Sequence, residues 1–292
     1  MIDFLTALIN GLSSGGTYAI IAIGYTMVYG IAKMLNFAHG DIIMAGGYAM
    51  FTTLLFLGHP LPALFVAIVF CVALGVCVER FAYRPLRGAS PLAVLITAIG
   101  VSSLLQSLAQ IIFGAGSKMP LQLQVSGSLK LGEITVHYST LITLAVTVVL
   151  MAALTVFVKY SKIGRAMVAV SEDRGAAQLM GINTNAIIAI TFGIGSALAA
   201  VAAYLMLMKA PSLTNTLGAM PGIKAFTAAV IGGIGSVPGA MLGGILLGVI
   251  ECISLSIPAL AAFTDAIEFG VLIVILLVKP AGLLGKARRE KV

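Results

Sequence analysis

Side chains able to do chemistry are few in this sequence and stand far apart. Ten Asp and Glu, 17 Lys and Arg and three His are spread over 292 residues. One run gathers several polar groups, Asn36-Phe37-Ala38-His39-Gly40-Asp41. His39 and Asp41 are two apart, so on a helix they would not share a face. Asp41 or Asn36 is instead expected to cap a half-helix, either with the freed amides turned toward a permeation path or as an ordinary interfacial cap. Glu251 is an acid isolated between apolar runs. It stands either inside a low-dielectric layer, where an ionisable group implies a role, or at the edge of one. A second break, Gly232-Gly233-Ile234-Gly235-Ser236-Val237-Pro238-Gly239, again puts helix-breaking residues between apolar segments, as discontinuous helices do.

Other chemistries lack their residues. Gly114-Ala115-Gly116-Ser117-Lys118, followed by Met119, does not have the spacing of a phosphate-binding loop. There is no His-x-x-x-His pair, and no ladder of arginines to sense voltage. Cys71, Cys77 and Cys252 lie within apolar runs, and neither their odd number nor the six-residue gap between the first two suggests a disulfide framework or a zinc site, so they read as small buried hydrophobes. An enzyme is not expected, nor a metal or a cofactor of the chain's own.

The elements that position these groups follow from hydropathy. The chain is 60% apolar and 9% charged, with mean hydropathy +1.11, against about 25% charged in a soluble domain. Lipid must therefore be the solvent for much of it. A charge at mid-bilayer costs about 2.5 to 3.5 kcal/mol, so long charge-free stretches mark crossings. Helices are expected near 5–31, 40–57, 62–79, 90–113, 138–158, 186–208, 239–256 and 260–278, with a shorter apolar piece at 223–235. The fold class is all-α, a polytopic membrane helix bundle of eight long helices plus one short or broken segment, forming a single domain over 1–292.

The net charge of +7 reads as the positive-inside rule rather than as a nucleic-acid surface. Lys33, then Arg80 to Arg87, Lys159 to Arg174, and the tail Lys279, Lys286, Arg288, Arg289 and Lys291 fall on one side, which should be cytoplasmic. Lys118, Lys130, Lys209 and Lys224 are left for loops on the other. The N-terminus is then outside and the tail inside, and the number of crossings must be odd, so the 223–235 piece has to complete one. No charged n-region precedes the first apolar stretch, and the first helix is expected to stay in the mature protein. In the outer loop from about 114 to 137, Gln122–Val125 and Glu133–Val136 alternate as a small hairpin would; the loop is either a docking surface or a cap over helix ends. Glycine is in excess, 33 residues. The pairs Gly11/Gly15 and Gly239/Gly243 have the small-xxx-small spacing of close helix contacts.

The loop 159–185 has two amphipathic pieces. Ala166 to Val170 is the first. After Ser171-Glu172-Asp173 as a start signal, Arg174 to Met180 is the second, closed by Gly181 as a C-cap. Apolar Leu179 and Met180 beside charged flanks suit docking into a groove on another protein, or lying on lipid.

At this loop the sequence resembles a family. Gly175-Ala176-Ala177-Gln178-Leu179-Met180-Gly181 is similar to the Glu-Ala-Ala-x-x-x-Gly loop by which permease subunits of bacterial ABC importers contact their ATPases. Gly164-Arg165-Ala166-Met167, Asn36 to Asp41, and Val230 to Ala240 resemble more narrowly the branched-chain amino-acid permeases, and the similarity spans nearly the whole chain. The resemblance implies a permease subunit of a binding-protein-dependent importer of leucine, isoleucine and valine in the bacterial inner membrane. Its partners would be a second related permease, two ATPases that use the ATP, and a periplasmic amino-acid-binding protein, with lipid around it and no nucleic acid. Gly164, Arg165, Glu172, Asp173, Arg174, Ala176, Ala177, Leu179, Met180 and Gly181 would form the coupling loop. Asn36, His39, Gly40, Asp41, Gly232, Gly233, Gly235 and Glu251 would lie along the translocation path. Gly175 stands where the family has Glu, so Glu172 or Asp173 must supply that acid's contact, or it is absent. Urea or a short amide is the alternative solute. A self-sufficient transporter or channel would need an ion site, and a structural scaffold would leave the helix breaks unexplained.

Overall fold

A computed structural model describes residues 2–131 and 134–285. Its helices are α1 (Ile2–Ala32), α2 (His39–Leu57), α3 (Pro60–Val78), α4 (Pro91–Phe113), α5 (Tyr138–Tyr160), α6 (Lys162–Glu172), α7 (Arg174–Leu179), α8 (Thr184–Lys209), α9 (Ala219–Gly232), α10 (Val237–Ser256), α11 (Pro258–Ala261) and α12 (Thr264–Val278). Seven are long and apolar enough to span a membrane: α1, α2, α3 with its continuation to Leu86, α4, α5, α8 and α10. The chain is a polytopic helical membrane protein. Breakers end the helices where expected. Pro60 begins α3 after Gly58, whose φ is +66°, and Asn183 caps α8 by accepting from the Ala186 amide at 3.1 Å. The stretch expected as one helix over 260–278 divides into α11 and α12, with Ala262 and Phe263 between them.

The helix α1 is the axis of the bundle. About nine-tenths of its apolar window (89%) is buried, against 17% for α4 and for α5, whose exposed Leu, Ile and Val side chains face lipid. The seam between α1 and α10 is built on glycine. A methyl group on Gly248 would lie 2.1 Å from the Gly15 amide nitrogen, and one on Gly244 2.4 Å from Ala19 Cα. In lipid no hydrophobic force drives helices together, so such backbone approach supplies the packing. Gly11 and Gly15 face α10 as their spacing predicts, whereas Gly239 and Gly243 face α9 at Gly232 and Ala228.

The expected short piece at 223–235 is α9, shifted toward its N-terminus. It stops at Gly232 because Gly233 and Gly235 take φ of +107° and +96°. Fourteen residues reach only about 20 Å, short of a bilayer core of about 30 Å. The segment 210–218 makes up the rest. It leaves the end of α8, pairs Leu213 with Lys118, and descends until Gly218 touches Gly40. Fifteen-residue α12 also falls short of a full crossing by length alone, and after it the chain returns to the end of α9, where the Leu283 and Leu284 amides bond the Ile231 and Gly232 carbonyls. Lys286 and the residues after it lie outside the described residues.

The loop between α4 and α5 carries a hairpin, but between other partners than expected. Strand β1 (Ser128–Leu131) pairs antiparallel with β2 (Ile134–His137). Only two residues separate these strands, a length that hairpin turns favour, and Leu121–Leu123 forms a 3-10 turn with Leu123 buried. Glu133 lies outside the described residues. Lys224 is not in a loop: it sits inside α9, buried, because three carboxylates meet it there.

Because backbone faces backbone on the α1–α10 seam, Gly248→Ala is expected to lower stability by about 1 to 3 kcal/mol through overpacking. Gly100→Ala on α4, where a methyl meets nothing within 4 Å, should be neutral or stabilise by up to about 1 kcal/mol. Thermal unfolding of the purified protein in detergent distinguishes the two.

Candidate functional site

Polar groups gather at three places. At the first, α6 and α7 lie across the end of the bundle where α1, α5 and α12 finish. Ser161 caps α6 by accepting from the Gly164 amide at 2.8 Å, and Gly164 lets α6 fold back on α5, since a methyl there would be 2.4 Å from the Phe157 carbonyl oxygen. Met167 and Val170 face inward, buried, while Arg165 and Glu172 are exposed. The start signal resolves to one residue. Asp173 caps α7, its Oδ1 accepting from the Gly175 and Ala176 amides at 2.8 and 3.0 Å, whereas Ser171 and Glu172 belong to the last turn of α6. Glu172 is exposed, and a methyl on Gly175 would meet only the Asp173 carboxylate, at 3.3 Å.

Arg174 donates to the Ile31 carbonyl at 3.0 Å and to that of Ala32, tying the start of α7 to the end of α1. Ala177 is buried beneath the helix and Ala176 exposed. Gly181, at φ +80°, ends it in the left-handed conformation that a C-cap glycine adopts. The result is a six-residue helix held at both ends, whose apolar tip, Leu179 at 91% and Met180 at 82%, is exposed.

The second place is where α2 begins. Neither Asp41 nor Asn36 caps it. The N-cap position is Ala38, with no side-chain bond, and the amides of His39, Asp41 and Ile42 are taken by the Asn36 and Ala38 carbonyls. The polar side chains turn to other helices instead. Asn36 Oδ1 accepts from the Tyr83 hydroxyl at 2.9 Å and Asp41 Oδ1 from Gln106 Nε2 at 2.8 Å. His39 lies edge-on to Tyr25, centroids 4.8 Å apart, and its Nε2 has no bonding partner among the described residues. All three side chains are buried, and between them along the chain Gly40 meets Gly218, just before α9, and Gly222 in its first turn. Gly232, Gly233 and Gly235 lie at the other end of α9, against Gly239, Gly285 and Gly30.

The third place contains Glu251 and residues that sequence reasoning missed. Glu251 Oε1 accepts from the Tyr18 hydroxyl at 3.0 Å and from Lys224 Nζ at 2.6 Å. Lys224 also reaches Asp265 at 2.9 Å and Glu268 at 3.3 Å, so one ammonium joins α9 to α10 and α12. The available signal was Asp265 and Glu268, three apart at the head of an otherwise apolar helix, with Lys224 the lone cation between two breaks. Glu251 and the Asn36–Asp41 group do not meet; α9 touches both, through Lys224 on one side and, on the other, through Phe226 packed on Phe37 and Tyr25.

Lys224→Met leaves buried carboxylates without their cation and is expected to cost about 3 to 5 kcal/mol. Adding Glu251→Gln and Glu268→Gln removes the stranded charge and should restore much of the loss, read as membrane-inserted yield and thermal stability. A triple variant no better than the single one would contradict the pairing.

Comparison with known proteins supports one assignment. Residues 7–276 match the family described as branched-chain amino acid transport system, permease component. The chain is 45% identical to the high-affinity branched-chain amino acid transport system permease protein BraD of Pseudomonas aeruginosa, over 99% of this chain and 98% of that one. It is 44% identical to the corresponding protein LivH of Escherichia coli, with the same coverage. A probable branched-chain amino acid transport permease of Methanocaldococcus jannaschii is 27% identical over 91% of this chain and 88% of its own length. The chain therefore belongs to the branched-chain amino acid transport system permease family, as a multi-pass helical membrane protein.

Proposed function

We propose that this chain is a transmembrane subunit of an ABC importer for leucine, isoleucine and valine, driven by separate ATPases that dock on α7. The observation that carries the proposal is α7 itself, capped at both ends and presenting Leu179 and Met180 to solvent. An apolar tip held this rigidly, outside the lipid-facing helices, suits a groove in a partner protein. The basic residues Lys33, Arg87, Lys159, Arg165 and Arg174 gather at the same end of the bundle, which the positive-inside rule makes cytoplasmic. The N-terminus is then outside and the C-terminus inside. The complex would be completed by a second related permease and an external amino-acid-binding protein.

Alternating access would be a displacement of α9 relative to α2. Arg174 links α7 to the end of α1, and α1 packs on α9 and α10, so motion of a docked ATPase has a mechanical route to the Gly40–Gly218 contact. Parting those glycines would expose His39 and Asn36 to the solute. Coupling of this kind requires that the docked partner favour one of two arrangements.

Replacing the tip by Leu179→Asp with Met180→Asp should leave stability within about 0.5 kcal/mol, both side chains being exposed, yet weaken ATPase binding by about 2 kcal/mol or more. Co-purification of the ATPases and uptake of labelled leucine into proteoliposomes holding the complete transporter provide the readouts. ATP-dependent leucine uptake that isoleucine and valine compete for, and urea does not, is expected from the wild type. Uptake by the permease without ATPases, or normal docking by the variant, would overturn the proposal.

A further inference from the structure

A cavity of about 500 Å³ lies between α2, α3 and α4, and its walls include Met44, Ala45, Tyr48, Leu74, Leu105 and Ala109. That volume falls among those of small-molecule sites, about 300 to 1,000 Å³. The threonines in its wall, Thr52 and Thr53, turn their hydroxyls back to the Tyr48 and Ala49 carbonyls of their own helix, each at 2.8 Å. Tyr48 differs. Its ring stacks on Phe113, centroids 4.3 Å apart, and its hydroxyl is buried with no hydrogen-bond partner among the described residues. Buried polar groups are nearly always satisfied, so an occupant that carries an acceptor completes this wall, whereas a plain hydrocarbon chain does not.

A carboxylate stands one helical turn before the cavity. Asp41 precedes Met44, Ala45 and Tyr48 by three, four and seven residues, spacings that share one face of a helix. On α4, Gln106 stands in the same relation to Ala109 and Phe113. The two polar residues bond each other: Gln106 Nε2 donates to Asp41 Oδ1 at 2.8 Å and to Ser102 Oγ at 3.3 Å. An ionisable group inside a spanning helix is costly and points to a role. Here it is held by a neutral amide from α4, a loosely seated helix with 17% of its apolar window buried. An ammonium adds its own charge to a hydrogen bond with a carboxylate, and so competes well with that amide.

Given an importer of leucine, isoleucine and valine, on which this step rests, we infer that the cavity between α2, α3 and α4 holds the solute in transit. Its ammonium takes the place of Gln106 on Asp41, its branched alkyl group lies among Met44, Leu74 and Leu105, and Tyr48 Oη is open to its carboxylate. A site of this kind recognises a primary ammonium and an aliphatic side chain together, and urea has neither. The position also suits a displacement of α9 relative to α2. Gly40, next to Asp41, meets Gly218, and Gln110 of α4 accepts from Asn215 at 3.4 Å, so movement of the 210–218 segment acts on both walls of the site.

The test is photolabelling with a leucine analogue that carries a diazirine on its side chain. Proteoliposomes holding the complete transporter are supplied with the external binding protein and ATP, and mass spectrometry locates the labelled peptides. Label is expected on residues 44–49 and 105–109, and excess leucine should remove it. Asp41→Asn should cut that labelling about tenfold, as loss of a hydrogen bond between charged groups implies, and Asp41→Glu should retain much of it. Ala109→Leu, which fills the cavity and leaves Asp41 in place, should cut it about tenfold or more and guards against misfolding of the charge variant. A wild-type transporter that takes up no leucine would overturn the importer assignment, and this site with it. Leucine uptake with the label confined to α1, α8 or α9 would overturn the site alone. So would label in the cavity that excess leucine does not displace, which would mark a groove filled by lipid.

Discussion

Gly40 and Gly218 meet backbone to backbone, and the arrangement of the bundle depends on that contact. A methyl on Gly218 would stand 1.7 Å from the Gly40 carbonyl oxygen, and one on Gly40 2.4 Å from the Gly218 oxygen. Both residues belong to breaks in the helical ladder, and in lipid every backbone polar group must find a partner within the protein. The turns do so locally: His39 bonds Asn36, Leu217 bonds Thr214, Ala219 bonds Thr216. What remains is to keep lipid away, and each break covers the other. The contact lies deep. His39 packs on Gly24 of α1, eight residues before the end of that helix, or about 12 Å along its axis.

From that contact α9 extends to the other parts of the molecule. Its Lys224 gathers Glu251, Asp265 and Glu268, its end at Gly232 meets Gly239 and the strand of chain at Leu283 and Leu284, and Phe226 lies against Tyr25 and Phe37. A short helix held by a buried ion cluster at one side and glycine contacts at both ends has few positions available to it. Packed interfaces of this kind shift between discrete arrangements rather than deform gradually. The same helix runs from the polar group at α2 toward the end of the bundle that carries α7.

Much of this was legible from spacing. Charge-free runs located the spanning helices to within a few residues, since the cost of burying a charge is large and local in sequence. The caps of α7 were legible too, because Asp173 and Gly181 act on neighbouring amides and on their own φ. The misses share a cause: they depend on partners far along the chain. Asp41 looked like a cap because acids near helix starts usually are, but its partner is Gln106, 65 residues on. Lys224 looked like a loop cation, and only the fold brings it to Glu251 and Glu268, 27 and 44 residues away. The hairpin was placed on one correct strand and one wrong one, alternation being weaker evidence than the length of the turn.

The geometry of α9 against α2 has a direct measurement. Spin labels placed singly from Ser212 to Ile223 in reconstituted protein report depth through their relative collision rates with oxygen and with a water-soluble nickel complex. A 210–218 segment that enters the membrane ahead of α9 predicts that depth increases steadily from Ser212, reaches the bilayer interior at Thr216 to Met220, and continues along α9 with helical periodicity. Labels at Thr216 and Met220 that report the depth of an aqueous loop would contradict the account, since α9 could not then begin against Gly40.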